Sequence, residues 1–301
     1  MSAPASAPQA TGWRDRLRAW PQYVLPHHLL SRMVLGLTRL RGGIFTRLAI
    51  RRFIRRFGVD MQEAASSDPA SYPNFNAFFT RPLRDGARPL APGDHIISSP
   101  ADGTISAIGP IEAGQLIQAK GRWYTVSQLL GGDAAAARFE SGAFCTIYLS
   151  PRDYHRVHMP VSGRLSRMLH IPGRLFSVSP ATTRALPRLF ARNERVACLF
   201  NSERGAAAVV MVGAMLVGGI DTAWAGTVTP PTARYPQRRD YPDGRPGVIL
   251  TRGQEMGRFN MGSTVILLLP SQRVQWQPGL QSGSRIRMGE TLGAWPGGDQ
   301  D

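Results

Sequence analysis

A glycine, a serine and a threonine, Gly262, Ser263 and Thr264, stand directly before the apolar run 265–269 in the segment GRFNMGSTVILLLP (257–270). Glycine tolerates strained backbone and leaves its carbonyl open to attack. The hydroxyl of Ser263 can reach that carbonyl and exchange the amide for an ester. Beta-elimination from the ester would leave dehydroalanine, and hydrolysis would then give a pyruvoyl group with loss of ammonia. Alone, such a triplet reads as an ordinary turn before a strand. A serine hydroxyl is also a poor nucleophile, needing a base that is itself held by a third group.

Bases are few, because the chain has six histidines. His27 and His28 lie in a basic leader, and His95 and His170 stand alone. His155 and His158 occur together in PRDYHRVHMP (151–160), and the residues by themselves leave either one open. Their spacing is that of a metal-ligand pair, but no third or fourth ligand accompanies it, so no metal is expected. The orienting carboxylate is best sought in SPADGT (99–104). There Asp102 and Gly103 read equally as a turn and as a group holding an imidazole tautomer.

Positioning such groups needs a folded core, and composition allows one. The 301 residues are 43% apolar and 19% charged, with 32 glycines and 24 prolines, which favours many short strands and turns. From about Ser71 onward short apolar runs (96–97, 104–108, 143–149, 208–217, 247–251, 264–269) alternate with Gly, Pro, Asp and Asn, predicting strands. Helices are expected near 125–138 and 178–190, and a proline-rich loop over 228–246. The two cysteines, Cys145 and Cys198, have neither the number nor the spacing of a disulfide scaffold or a zinc site and suit a reducing cytosol. Lys120 is the only lysine. A pyridoxal phosphate enzyme would have to hang on it, with no phosphate loop nearby.

The net charge is +16, and residues 1–59 hold eleven arginines against one acid, Asp15. Residues 1–12 read as a disordered leader, without the uninterrupted apolar stretch of a signal peptide. Leu29, Leu30, Met33, Val34, Leu37 and Leu40 form one helical stripe. Ala49, Ile50, Phe53, Ile54 and Phe57 form a second, with arginines opposite. Trp13, Trp20 and Tyr23 lie just upstream. Basic amphipathic helices with aromatic neighbours suit an anionic bilayer surface. The bland alternative is that the stripes pack on the protein; no nucleic-acid motif accompanies the charge, so no nucleic acid is expected. The longest apolar run, 205–220, is too short to span a bilayer and reads as buried strand.

Six segments, FNAFFTRPL (75–83), SPADG (99–103), YHRVHMPVSG (154–163), LFSVSP (175–180), LFARNERV (189–196) and EMGRFNMGSTVILL (255–268), make the chain resemble the phosphatidylserine decarboxylases of the bacterial and mitochondrial type. The resemblance implies an Asp-His-Ser triad for self-cleavage between Gly262 and Ser263, mapping to Asp102, His158 and Ser263. It also implies a pyruvoyl cofactor made from Ser263 that forms a Schiff base with the amine of phosphatidylserine, giving phosphatidylethanolamine and carbon dioxide. His155 lies in the matching motif and is assigned to substrate protonation or positioning. Two positions depart from the family pattern: Met261 stands for a leucine and Ala101 for a larger apolar residue, both mild changes.

The expectation is therefore an α+β, β-rich catalytic domain (70–301) behind an N-terminal amphipathic helical membrane-docking segment (13–69). Cleavage would leave a β chain, 1–262, and an α chain, 263–301, that stay associated. The enzyme is expected as a peripheral protein on the cytoplasmic face of a bacterial cell membrane, with phosphatidylserine in an anionic membrane as partner; a homodimer is left open. The rivals are an intact serine hydrolase on the same three residues, lacking a Gly-x-Ser-x-Gly elbow, a membrane- or nucleic-acid-binding protein without catalysis, and a pyruvoyl enzyme acting on a soluble amino acid.

Overall fold

The strand Thr264–Leu269 (TVILLL) lies where its apolar run 265–269 can be covered on both faces, and each of its six residues is buried. It is hydrogen-bonded antiparallel to Ala143–Tyr148 on one side and Gly205–Val212 on the other, with Thr264 opposite both Tyr148 and Val212. Full burial of a large aliphatic side chain contributes about 1.5–3 kcal/mol. The strand is thus fixed in the core independently of the peptide bond that precedes it.

The molecule, a computed structural model, describes residues 15, 20–119, 121–215, 219–230, 235–242, 247–270 and 274–296. The leader 1–12, Trp13, Lys120, parts of the 228–246 loop and the last five residues lie outside them. The fold is α+β and strand-rich. Nine strands make the main sheet, in the order Gln237–Asp240, Gly163–Ile171, Arg195–Ser202, Gly205–Val212, Thr264–Leu269, Ala143–Tyr148, Gly103–Pro110, Arg285–Ile286, with Ile249–Leu250 also on Gly163–Ile171. A four-stranded sheet (Gly226–Thr227, Ile220–Thr222, Glu255–Phe259, Arg156–His158) leads into the central strand. It carries the two motif histidines to the central strand's N-terminal end.

The expected helix near 125–138 is a short helix, Val126–Leu129, closed by a Thr125–Gln128 capping box, followed by a 3-10 turn, Ala134–Phe139. That near 178–190 is split into Pro180–Ala185 and Leu189–Arg192. The Asp102-Gly103 pair is not a hairpin turn. Gly103 opens a strand, and a Cβ there would lie 2.4 Å from the Tyr148 carbonyl oxygen.

Two N-terminal helices, α1 (His27–Arg39) and α2 (Ile44–Phe57), follow a 3-10 turn, Trp20–Tyr23. Their stripes behave differently. In α1 the buried residues are His27 and Ser31, whereas Leu29, Met33, Leu37 and, just past its end, Leu40 are exposed. In α2, Ile50 is buried and Phe53 and Ile54 partly so, packed with Val59, Tyr72 and Phe78, while Ile44, Phe45 and Leu48 face outward. The second stripe therefore serves the protein core, and the outward apolar face of α2 is a different set of residues. Among the described residues no helix is long and apolar enough to cross a membrane.

Candidate active site

Ser263 immediately precedes the central strand and is fully buried. Its carbonyl accepts from the Leu149 amide at 2.9 Å, but its hydroxyl has no hydrogen-bond partner. A buried, unspent hydroxyl is costly and is usually kept for a reason. Gly262 before it has no positive φ, so strained backbone is not what glycine supplies here. It supplies close approach: a Cβ would meet the Leu149 oxygen at 3.3 Å and His155 Cε1 at 3.4 Å.

His155 is thus the imidazole set against the Gly262–Ser263 bond. It is fully buried and lies flat on Phe79, ring centroids 4.0 Å apart. The short helix α3 (Phe75–Phe79) presents that ring. Asn74 caps α3 by accepting from the Ala77 amide, and Phe78 and Phe79 are both buried. Phe78 goes into the α2 cluster and Phe79 onto the histidine. Burial first, then the nearby Arg81 guanidinium, push the His155 pKa down to about 3, against small opposing contributions from Asp153 and the Pro151 and Ser150 carbonyls. It is a neutral imidazole at physiological pH.

His158 sits differently. Its strand, Arg156–His158, is tied to Glu255–Phe259, and Arg156 binds both Glu255 and the Thr80 carbonyl. The His158 Nδ1 faces the Gly253 carbonyl at 2.7 Å, which can only accept, so Nδ1 carries the proton. That leaves Nε2 to accept from the Tyr154 hydroxyl at 3.0 Å. Burial lowers its pKa, opposed through space by Glu255 and Asp102 among others.

Asp102 is buried and occupied. It accepts from Arg88 Nε at 2.9 Å, pairs with an Arg88 terminal nitrogen, and accepts from the Met288 amide at 2.8 Å. Arg88 also binds Glu63. Asp102, His158 and Ser263 therefore make no hydrogen bond to one another in this structure. Among the described residues no group of three or more His, Cys, Asp or Glu side chains is placed to hold a metal ion.

A cavity of about 250 Å³ opens beside the Gly262–Ser263 bond, its lining including Phe53, Phe57, Phe79, Leu149, Met261, Gly262 and residues 177–179. Phe53 and Phe57 belong to the second stripe of α2, so the side of that helix turned to the protein forms one wall of it. Such an apolar pocket with a few polar groups suits a small headgroup bearing an apolar tail. Phe79, Arg88, Tyr154 and the 177–179 loop were not singled out from sequence. Phe79 and the loop lie inside quoted motifs, and Tyr154 adjoins His155, but nothing local marks Arg88 as the partner of Asp102.

A family model described as phosphatidylserine decarboxylase matches residues 75–294, and a second, described as PSD, matches 17–58. The phosphatidylserine decarboxylase proenzyme of Acidovorax ebreus is 53% identical over 279 residues, 92% of this chain and 97% of that protein. That of Alkalilimnicola ehrlichii is 54% identical over 294 residues, 97% of this chain and all of that protein. The proenzyme of Photobacterium profundum is 51% identical over 278 residues, 92% and 96% of the two chains. With the match spanning the whole strand system that carries Ser263, His155, His158 and Asp102, the chain belongs to the phosphatidylserine decarboxylase family.

Proposed function

We propose that this chain cuts itself between Gly262 and Ser263 and then decarboxylates phosphatidylserine to phosphatidylethanolamine. The observation that carries the reading is the buried, unpartnered Ser263 hydroxyl next to a glycine peptide that is walled by an imidazole and an apolar cavity. In the cut, Ser263 Oγ attacks the Gly262 carbonyl carbon and gives its proton to an imidazole. The Gly262–Ser263 C–N bond breaks, and the freed nitrogen takes up a proton, leaving an ester. Loss of the Ser263 α-proton expels Gly262 as a carboxylate. Water then hydrolyses the dehydroalanine, through its imine form, to a pyruvoyl group and ammonia.

We assign His158 as the base for the cut and Asp102 as the carboxylate that supports it. Two features favour this: the neutral His158 keeps Nε2 as an acceptor, and Asp102 acts on it electrostatically. His155, beside the cavity, is assigned to handling the substrate. The pyruvoyl left at position 263 fits the space that the orphaned hydroxyl occupies. It would supply a carbonyl able to condense with the substrate amine and a sink for the electrons left behind by carbon dioxide. The chain's own residues do the rest: the apolar walls exclude water, and the neutral His155 takes up the proton that the substrate ammonium gives up and later passes it to the product carbon.

The division of the chain follows the same proposal. Residues 13–69 dock on the cytoplasmic face of an anionic membrane, and 70–301 form the catalytic unit, cut into chains 1–262 and 263–301. Exposed Leu29, Met33, Leu37, Ile44 and Phe45 among arginines support the docking. Intact mass under denaturing conditions tests the core of the proposal. Two chains are expected, the smaller one lighter by an ammonia than its serine-started form, with Ser263→Ala giving a single inactive chain. Cleaved Ser263→Ala protein would overturn the assignment.

A further inference from the structure

Gln22 is the one buried residue of an otherwise open turn. It is 7% exposed, whereas Trp20 is 66% and Val24 73% exposed. Its Oε1 accepts from the Ser177 amide at 2.8 Å, and its Nε2 donates to Thr182 Oγ1 at 3.4 Å. Ser177 lies with Ser179 in the loop that lines the cavity at Gly262, and Ser179 caps the helix Pro180–Ala185 that carries Thr182.

The neighbours of Gln22 grip the same loop. Tyr23 and His27 both pack on Phe176, at 5.3 and 5.2 Å between ring centroids, and Arg192 lies over the rings of Tyr23 and Phe176. His28 Nε2 is 2.9 Å from the Gly173 carbonyl, and Arg174 donates to the Tyr23 carbonyl. On the far side Asn193 brackets the amide and carbonyl of Phe176. The loop is therefore held at Phe176 from the core and at Ser177 from the N-terminal segment. The aromatic contacts fix the Phe176 ring, while Asn193 Nδ2 and the Gln22 oxygen hold the two ends of one peptide unit, the Phe176 carbonyl from the core and the Ser177 amide from the N-terminal segment.

We propose that Gln22 is a positioning residue for decarboxylation. By accepting from the Ser177 amide it sets the Ser177 side of the headgroup cavity and joins the N-terminal segment to the active site. This rests on the reading of that cavity as the phosphatidylserine site. A small displacement of a group lining a reaction pocket is enough to lose one to two powers of ten in rate.

The test uses the full chain as wild type, Gln22→Met, which keeps length and volume without either hydrogen-bonding group, and Gln22→Glu, which keeps the acceptor. Self-cleavage is followed by mass and stability by thermal melting. Docking is followed by sedimentation with phosphatidylglycerol–phosphatidylcholine vesicles. Turnover of phosphatidylserine is measured both in detergent micelles and in those vesicles. Gln22→Met should be cut normally, melt close to wild type and sediment normally, yet lose about tenfold in kcat/KM in both media, and Gln22→Glu should recover most of that loss. Turnover within twofold of wild type for Gln22→Met, or an equal loss in Gln22→Glu, would overturn the proposal. A loss seen only in vesicles would make Gln22 a docking residue, and an uncut chain or a collapse in melting temperature would make it a packing residue; either overturns it. If the wild type is cut but releases no carbon dioxide from phosphatidylserine, the substrate reading itself fails, and the role of Gln22 with it.

Discussion

The imidazole of His155 lies on the ring of Phe79, the two planes 18° from parallel, and its Cε1 stands 3.4 Å from where a Cβ at Gly262 would be. The stack fixes the ring plane of a histidine whose nitrogens have no well-aligned hydrogen-bond partner. Phe79→Leu keeps most of the buried volume and should cost under about 1.5 kcal/mol, whereas Phe79→Ala should cost about 3–5 kcal/mol. We expect Phe79→Leu to be folded and cut but to turn over at least about tenfold more slowly, because the proton donor has lost its fixed plane. Calorimetry and a carbon dioxide release assay check this; wild-type turnover in Phe79→Leu would remove the stack from the mechanism.

The two motif histidines should separate by function. His158→Gln should accumulate uncut chain, since the nitrogen assigned as base is gone. His155→Gln should be cut, more slowly at most, and carry the pyruvoyl group, but release carbon dioxide at less than about 1% of the wild-type rate. Mass spectrometry reads the first outcome and product assay the second. The reverse pattern would exchange the two assignments and make the imidazole nearest Gly262 the base for the cut.

Asp102 binds on both sides of the proposed cut: Arg88 in what would be the larger chain and the Met288 amide in what would be the smaller one. Arg285–Asp153 and Arg287–Glu63 run across the same seam. Removing the charge leaves Arg88 with Glu63 alone and should destabilise by about 3 kcal/mol. The comparison belongs in a background that cannot be cut, Ser263→Ala against Ser263→Ala with Asp102→Asn, by urea denaturation. Equal stability would mean that any failure of Asp102→Asn to cleave acts through His158 alone.

Acid should weaken the uncut chain through His155. Burial and Arg81 hold its folded pKa at about 3, below the unfolded 6.5, so the unfolded state binds the extra proton first. Stability is then full above about pH 6.5 and falls as pH drops from there towards 3. The lowered pKa of His158 works in the same direction. Between pH 7.5 and 5 the His155 part is on the order of 1–2 kcal/mol. Adding His155→Gln to Ser263→Ala should shrink the loss measured over that interval; an unchanged loss would place the titration elsewhere.

Much of this site was legible in residue order. The VILLL run announced a buried strand because none of its side chains has a polar group, whereas the glycine and serine ahead of it read alone as an ordinary turn and stood out only through the resemblance carried by six segments. What was hidden was pairing at a distance. Arg88 lies fourteen positions before Asp102 in no motif, and whether His155 or His158 meets Gly262 depends on how Arg156–His158 registers with Glu255–Phe259. The second apolar stripe misled for a similar reason. Ile50 and Phe53 have the helical spacing of a membrane face, but Tyr72 and Phe78 cover them, and a partner that arrives twenty residues later leaves no trace in a periodicity.

Helix α1 carries the last prediction, because its burial is inverted. A helix packed on a protein buries leucine and exposes serine, yet here His27 and Ser31 are inside, Leu30, Val34 and Leu35 are only half-buried, and Leu29, Met33 and Leu37 are more than half exposed. Ile44 and Phe45 continue the apolar surface at the start of α2, at 67% and 78% exposure. Water gives this arrangement no advantage, whereas a bilayer interface does, with the surrounding arginines adding attraction to anionic lipid. Leu37→Asp with Phe45→Asp should leave the melting temperature almost unchanged, since both side chains are mostly exposed. Each substitution forfeits about 1.5–3 kcal/mol of apolar insertion, so binding to vesicles rich in phosphatidylglycerol should weaken at least a hundredfold or so. Turnover of phosphatidylserine in those vesicles should fall in step, while turnover in detergent micelles stays near wild type. Vesicle binding that survives both aspartates would return the inverted helix to the protein's own interfaces, with a second copy of the chain as the surface that covers it.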